Sequence, residues 1–319
     1  MPELPEVESI RRDLEPKLIG QTIVDVEVRL AKLVSGHGSK RNGDPIKVNE
    51  FETGLLNQVF RRIDRVGKNL IFEFENGSRM LVHLKMTGGF RYYDETDRSG
   101  REPARHTHVV FGLGRGRLEY TDSRTFGFLL YYRSQADLEE SRILSGLGVD
   151  PLSAGFSRKY WRQTISRSRM PLKSALLSQK LVAGIGNIYA DEICFLSRIH
   201  PGCHGERLTR DQIDRLYKAI GEVLGKAIDC RGSSIDTYRL PDGRAGSFAD
   251  IHQVYGRAGL PCRVCGGELK KCILSQRTTV YCPDCQPIEP SNHMAVKSKA
   301  VSKSGRKPGT RKRNRNEPA

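Results

Sequence analysis

The chain has 319 residues, with 53 Lys and Arg against 37 Asp and Glu, for a formal net charge of +16. That length supports two modest domains, each with its own core. No apolar run approaches the roughly 18 residues of a membrane span, and the positive excess points to an anionic partner, nucleic acid ahead of an acidic membrane.

The N-terminus, "MPELPEVESI", lacks the positive and apolar regions of a secretion signal and is too acidic for a transit peptide. Residues 2–20 read as a short helix. Val7, Ile10, Leu14 and Leu18 recur at helical spacing, and Gly20 suits the stop. Glu8 reads as an ordinary helix-start glutamate, favoured by the helix dipole. From Thr22 to about Arg133 the pattern is strand-like: "TIVDVEV" alternates, "NLIFEF" and "RMLVHL" flank the turn signal "ENGS", and "THVVFGL" and "RLEYTD" flank "GRG". A β-sandwich or barrel is expected there. The polar stretch at 35–48 reads as a longer surface loop.

After Pro151 the pattern becomes helical, broken by short turns. In "TRDQIDRLYKAIGEVLGKAI", Ile213, Leu216, Ile220 and Leu224 make an apolar stripe for packing. Residues 232–248 are rich in Gly and Ser and read as a mobile loop. Residues 287–319 carry nine Lys and Arg against two Glu, which is +7 of the +16, with almost no large apolar residues. They read as a basic disordered tail.

Five of the eight cysteines lie between Cys262 and Cys285; Cys194, Cys203 and Cys230 are scattered. With no secretion signal a disulfide framework is not expected. Cys262-x2-Cys265-x16-Cys282-x2-Cys285 fits a structural zinc site. Each CxxC grips one ion from a tight turn, and four thiolates leave no position open for water. One structural zinc ion is therefore expected, with Cys272 outside the ligand set. A zinc-pinned hairpin carrying Arg277 would suit a phosphate or a groove.

Six ordered stretches, "PELPEVE" at 2–8, "HLKMTG" at 83–88, "TDSRTFG" at 121–127, "KLVAGIGNIYADE" at 180–192, "QVYGRAGLPCRVCG" at 253–266 and "QRTTVYCPDCQ" at 276–286, resemble the formamidopyrimidine-DNA glycosylase family. The resemblance covers residues 2 to about 286 and leaves out the tail. It implies an α+β chain of two domains. The first is a β-sandwich with an N-terminal helix (1–135). The second is a helix–two-turn–helix domain (150–232), followed by a loop that caps the lesion (233–252) and a zinc-finger β-hairpin (253–286). It further implies base-excision repair of oxidised purines, 8-oxoguanine and formamidopyrimidines, in damaged double-stranded DNA clamped by a monomer. A cytoplasmic, nucleoid-associated location follows if the source is bacterial.

The residues permit this chemistry. Once Met1 is removed, Pro2 presents a secondary amine. An α-amino group titrates near 8, well below Lys at about 10.4, and a helix start lowers it further. Attack on C1′ of a nucleotide gives a cationic iminium, an electron sink for β- and then δ-elimination of the phosphates. The resemblance makes Pro2 that nucleophile; without it, Pro2 would read as a helix N1 residue. Glu3 is the best general acid or base, and Glu6, one turn on, shares its face in a supporting role. Lys68 resembles the family's lysine beside the lesion phosphate. Lys180, Asn187 and Arg277 resemble phosphate contacts, with Gly184 and Gly186 bringing backbone N–H groups close to phosphate. Of His106 and His108 in "RHTHVVF", His106 is the candidate DNA contact, and as lone histidines both would read as structural. Met86, Arg124 and Phe126 match the family's void-filling trio: two wedges and an Arg for the orphan cytosine. Alone, Met86 and Phe126 would pass for core. Thr125 departs from the family, which often has a second basic residue there.

Two alternatives stay open: an endonuclease VIII-like glycosylase for oxidised pyrimidines, which usually has Gly where Leu4 stands, and a catalytically inactive zinc-containing DNA-binding protein. Deleting 287–319 is expected to flatten the salt dependence of duplex binding while sparing cleavage at saturating enzyme; an unchanged salt slope would reject a phosphate-attracting tail.

Overall fold

The computed structural model describes residues 1–36, 43–96 and 102–288. The basic tail beyond 288 and part of the 35–48 stretch lie outside the described residues. Among those residues, no helix is long and apolar enough to cross a membrane.

Helix α1 (Leu4–Leu18) is capped by Glu3. Pro2 thus precedes the cap, and the first-turn proline is Pro5. The apolar residues Leu4, Val7, Ile10, Leu14 and Leu18 are all 0% exposed, but they serve two cores. Val7 to Leu18 pack into the sandwich. Leu4 packs with the helical domain, beside Ile185, Tyr189 and Ile228. One helix is therefore shared between the two hydrophobic bodies.

The sandwich consists of β1 (Ile23–Val28), β2 (Val34–Ser35), β3 (Phe60–Val66), β4 (Asn69–Phe74), β5 (Arg79–His83), β6 (Gly88–Tyr93), β7 (Thr107–Leu113), β8 (Arg117–Asp122) and β9 (Phe128–Tyr132). One sheet runs β1-β7-β8-β6 and the other β2-β9-β5-β4-β3. Both expected hairpins form, β4–β5 across "ENGS" and β7–β8 across "GRG". Phe60, Phe72, Phe74, Phe90 and Tyr120 interlock between the sheets, with ring centroids 5.1–6.0 Å apart. The uninterrupted strand reading needs correction. Helix α2 (Pro45–Leu55) lies inside it, opened by an Asp44 cap onto Ile46 N and a first-turn Pro. It buries only Phe51 and Leu55, too few apolar positions for its period to stand out.

A short helix α3 (Gln135–Glu140) leads to α4 (Arg158–Ile165), α5 (Leu172–Leu177), α6 (Asn187–Leu196) and α7 (Arg210–Asp229). Thr209 and Gln212 form a capping box for α7. Its stripe of Ile213, Leu216, Ile220 and Leu224 packs inward as expected. The last elements among the described residues are the hairpin strands β10 (Lys270–Leu274) and β11 (Arg277–Tyr281).

That hairpin has only a small apolar cluster of its own, centred on Val254, Leu269 and Val280. It is held to α5 and α6 by a buried polar knot. Lys173, 0% exposed, sits 2.7 Å from Asp191 Oδ1, itself 1% exposed, and donates to Thr278 O at 2.7 Å. Val280 N donates to Asp191 Oδ2 at 3.1 Å. Glu192, next on α6, accepts from the backbone N–H groups of Gln253, Val254 and Tyr255 at 2.8–2.9 Å. Lys173→Ala leaves the buried Asp191 carboxyl without its ammonium partner. It is expected to cost about 3–5 kcal/mol by urea denaturation, and a loss under about 1 kcal/mol would show the pair does not hold the hairpin.

Candidate active site and nucleic-acid interface

The first turn of α1 docks against the start of α6. Glu3, 3% exposed, accepts from Ile188 N (Oε1, 3.1 Å) and Tyr189 N (Oε2, 3.5 Å). These are first-turn donors of α6, which have no partner inside the helix, and an anion there is favoured by the helix dipole. Leu4 N donates to Gly184 O at 3.0 Å, and Gly184 takes φ +96°. At Gly186 a Cβ would lie 2.2 Å from the Glu3 carboxyl carbon, so only glycine admits this approach. The protein's own Glu3 takes the Ile188 and Tyr189 donors, and Gly184 N donates to Gln179 Oε1.

Glu6 is 1% exposed. It accepts from Glu3 N (2.8 Å), Ser233 N (2.8 Å) and the Tyr189 hydroxyl. Burial, then the neighbouring Glu3 carboxylate, pushes it up to about 7 against those three hydrogen bonds. Lys68, 7% exposed, lies in the β3–β4 turn. Burial pushes its ammonium down, the charges of Glu3 and Glu6 oppose that shift, and Arg277 adds to it. Glu3, Glu6, Lys68 and Arg277 thus share one electrostatic neighbourhood although up to 274 positions separate them.

The turn bearing Lys68 is fixed by a cluster the sequence reading missed. Arg65 pairs bidentately with Asp150, reaches Glu8 Oε2 at 3.1 Å and donates to Gly67 O at 3.0 Å. Gly67 N donates to Asp150 at 2.9 Å. Glu8 is not the ordinary helix-start glutamate expected. Burial alone would raise it, but Arg11 and Arg12 outweigh that and hold it at about 2. An Asp just before a proline gave no signal of this role. Asp191 and Glu192 did leave one, because two adjacent acids on an otherwise apolar helix need partners.

Pro2 is buried. It lines a small cavity with Thr87, Gly88, Phe90 and Thr121 from the sandwich and Thr237 and Tyr238 from the 232–248 segment. The volume is about 40 Å3, room for a few waters and not for a nucleobase. The 232–248 segment, expected as a mobile loop, follows a hydrogen-bonded course here. Tyr238 donates to Glu6 O and Arg231 O, and Tyr92 N donates to Pro241 O.

The turns on either side of that cavity carry the other sequence-derived residues. Met86 is 38% and Phe126 50% exposed, so neither is core. Arg124 stacks on the Phe126 ring at 4.8 Å. Arg124 N donates to Thr87 Oγ1 at 3.0 Å, and the Thr87 hydroxyl donates to Asp122, which ties the two turns together. His106, exposed at φ +68°, joins this rim through its carbonyl, which accepts from Asp122 N. Asn187 starts α6 with its amide 3.4 Å from Thr278 O. Arg277 opens β11 beside it. Lys180 is exposed in the α5–α6 turn, and no described contact ties it to this group.

The four expected cysteines do converge: their sulfurs lie within 4.8 Å of one another, and Cys272 is outside the set. Tetrahedral zinc with bonds near 2.3 Å needs sulfurs about 3.8 Å apart. Cys262 and Cys285 are at 3.9 Å and Cys265 and Cys282 at 3.4 Å. The donors fit one structural zinc ion.

Glu6 generates a pH prediction. The native state holds its proton more tightly than the unfolded chain, so its stabilising effect is present below about pH 4.5 and lost as pH rises to about 7. Glu6→Gln stays neutral. From about pH 5 to about pH 8 its unfolding free energy should fall less than the wild type's, by an amount on the order of 3 kcal/mol. Parallel slopes in denaturant titrations would contradict the raised value.

Three family models match the chain in succession. They are the formamidopyrimidine-DNA glycosylase N-terminal domain over 1–129, the H2TH domain of the same family over 147–239, and the zinc finger found in FPG and IleRS over 259–288. Formamidopyrimidine-DNA glycosylase from Desulfitobacterium hafniense is 39% identical over 286 residues, covering 90% of this chain and 100% of its own. The Thermus thermophilus enzyme is 39% identical over 288 residues, 90% of this chain and 98% of its own. Among solved structures, Lactococcus lactis Fpg in complex with abasic-site DNA aligns with TM-score 0.79 at 33% identity, over 90% of this chain and 100% of that one. The crystal structure of the Thermus thermophilus protein aligns with TM-score 0.77 at 38% identity, over 91% and 100%. With every part of the fold from the shared helix to the cysteine hairpin matched in order, the chain belongs to the formamidopyrimidine-DNA glycosylase family of base-excision repair enzymes.

Proposed function

We propose that this chain excises oxidised purines from duplex DNA and then cleaves the abasic strand through Pro2. The observation that carries the reading is the convergence of Pro2, Glu3, Glu6 and Lys68 at one junction, under the 232–248 loop and beside Arg277. With Met1 gone, the Pro2 nitrogen has a lone pair to attack C1′; the amine sheds its proton, the base departs with a proton, and the C1′–O4′ bond then opens as O4′ takes up a proton. The resulting iminium withdraws electrons from C2′, so loss of a C2′ proton expels the 3′-phosphate and a second elimination expels the 5′-phosphate. Glu3 stands next to the amine with lone pairs left after its two α6 contacts, and it handles the protons at the sugar. A neutral fraction of Lys68, favoured by its burial, lets it shuttle a proton as well as bind phosphate.

A base can be attacked this way only after leaving the helix. Met86 and Phe126 are exposed apolar side chains on linked turns and suit the gap, with Arg124 beside them for the orphan cytosine. We assign the phosphate contacts to Lys180, Asn187, His106 and Arg277, as their motifs imply. The cavity at Pro2 is too small for a purine, so the loop between Ser233 and Ser247 must shift outward to admit the base and then cover it. The complex of the Lactococcus lactis relative with DNA containing an abasic site supports damaged DNA as the partner, and our reading takes the chain as a monomer on a duplex.

Borohydride reduction during incubation with an 8-oxoguanine:cytosine duplex should trap a covalent adduct mapping to Pro2. No adduct would sink the lyase reading. Full adduct with Pro2→Gly, or with Met1 retained, would sink the Pro2 assignment. Faster cleavage of a thymine-glycol duplex would move the enzyme to oxidised pyrimidines.

A further inference from the structure

The 232–248 loop is closed at its neck. Ser233 bridges Ser247, Phe248 N donates to Gly232 O at 3.0 Å, and Ser247 N donates to Cys230 O at 2.9 Å. Beyond a single helical turn, Phe248–Ile251, stands His252, 4% exposed. Its Nε2 lies 2.9 Å from the Ser233 hydroxyl, itself on a residue 4% exposed. Ser233 N donates to Glu6 Oε1 at 2.8 Å. Gly232 holds φ +82°, and a Cβ there would meet Glu6 Oε1 at 2.8 Å, so the loop root lies directly on the carboxylate.

A second route joins the same groups. The His252 ring meets Phe248 edge-on, Phe248 packs on Tyr189, and the Tyr189 hydroxyl donates to Glu6 Oε1. On its other side, His252 precedes Gln253, Val254 and Tyr255, the three residues whose N–H groups Glu192 holds. Burial pushes His252 down to about 4, so the ring is neutral near pH 7. It stands where the loop root, Glu6 and the lead into the zinc hairpin meet.

We propose that His252 is a positioning residue for base excision: by holding Ser233 it fixes the loop root against Glu6, so that the loop closes over the extruded base in register with Pro2. The inference rests on the reading of this loop as the cover of the extruded base. Its consequence is selective. Excision needs the cover, whereas elimination at a site that has already lost its base does not.

Full-length zinc-loaded enzyme would be assayed on two duplexes, one carrying 8-oxoguanine opposite cytosine and one carrying a preformed abasic site. In His252→Ala, kcat for excision should fall about tenfold, the effect of losing one buried hydrogen bond, with abasic-strand cleavage changed by less than about twofold. Ser233→Ala should match it, and the double variant should lose little more than either single one. His252→Gln, whose amide nitrogen can stand near the original Nε2, should recover most of the excision rate. Equal losses on both substrates would mean a merely structural His252 and overturn the proposal, as would two unchanged rates. Wild-type enzyme inactive on both duplexes would overturn the functional reading and this inference with it.

Discussion

The contact between Glu3 and the start of α6 is the constraint on which the rest depends. The carboxylate belongs to the first domain and the donors to the second, and no solvent separates them. Charge-assisted hydrogen bonds of this kind contribute about 1.5–3 kcal/mol each. Removing the carboxylate would also leave the α6 donors buried without partners. From the same helix, Tyr189 reaches Glu6, Asp191 reaches the zinc hairpin and Glu192 reaches the segment leading into it. Helix α6 therefore sets, within one ten-residue element, where the N-terminus, the loop root and Arg277 stand relative to one another.

Electrostatics around this junction are divided by location. Burial and the neighbouring Glu3 favour the protonated form of Glu6, against the neutral donors around it. Glu8, two residues on, faces Arg11, Arg12 and Arg65 and stays charged. The difference comes from the helix face each occupies. Glu6 looks towards α6 and the loop, and Glu8 looks towards β3 and Asp150. One short acidic segment thereby serves chemistry on one side and attachment of the Lys68 turn on the other.

The elements with local signals were legible in the sequence. Strand alternation, the "ENGS" and "GRG" turns, the α7 stripe and the cysteine spacing each depend on residues close in the chain. The order of motifs then supplied Pro2, Glu3, Lys68 and the exposed pair Met86 and Phe126. What stayed hidden were contacts between distant residues. Arg65 with Asp150, Lys173 with Asp191 and Ser233 with His252 are pairs whose members look like solvated or capping residues until the fold joins them. Helix α2 escaped for the opposite reason: its local signal is weak because it buries so little.

Leu4 fills the helical core while Val7, three residues later, fills the sandwich core. The first turn of α1 is thus packed into both lobes, alongside the cross-lobe contacts of Arg65 with Asp150 and of Tyr92 N with Pro241 O, and it adjoins Pro2, Glu3 and Glu6. A substitution that loosens this turn therefore disturbs the packing of both hydrophobic bodies at once, at the point where Pro2, Glu3 and Glu6 stand.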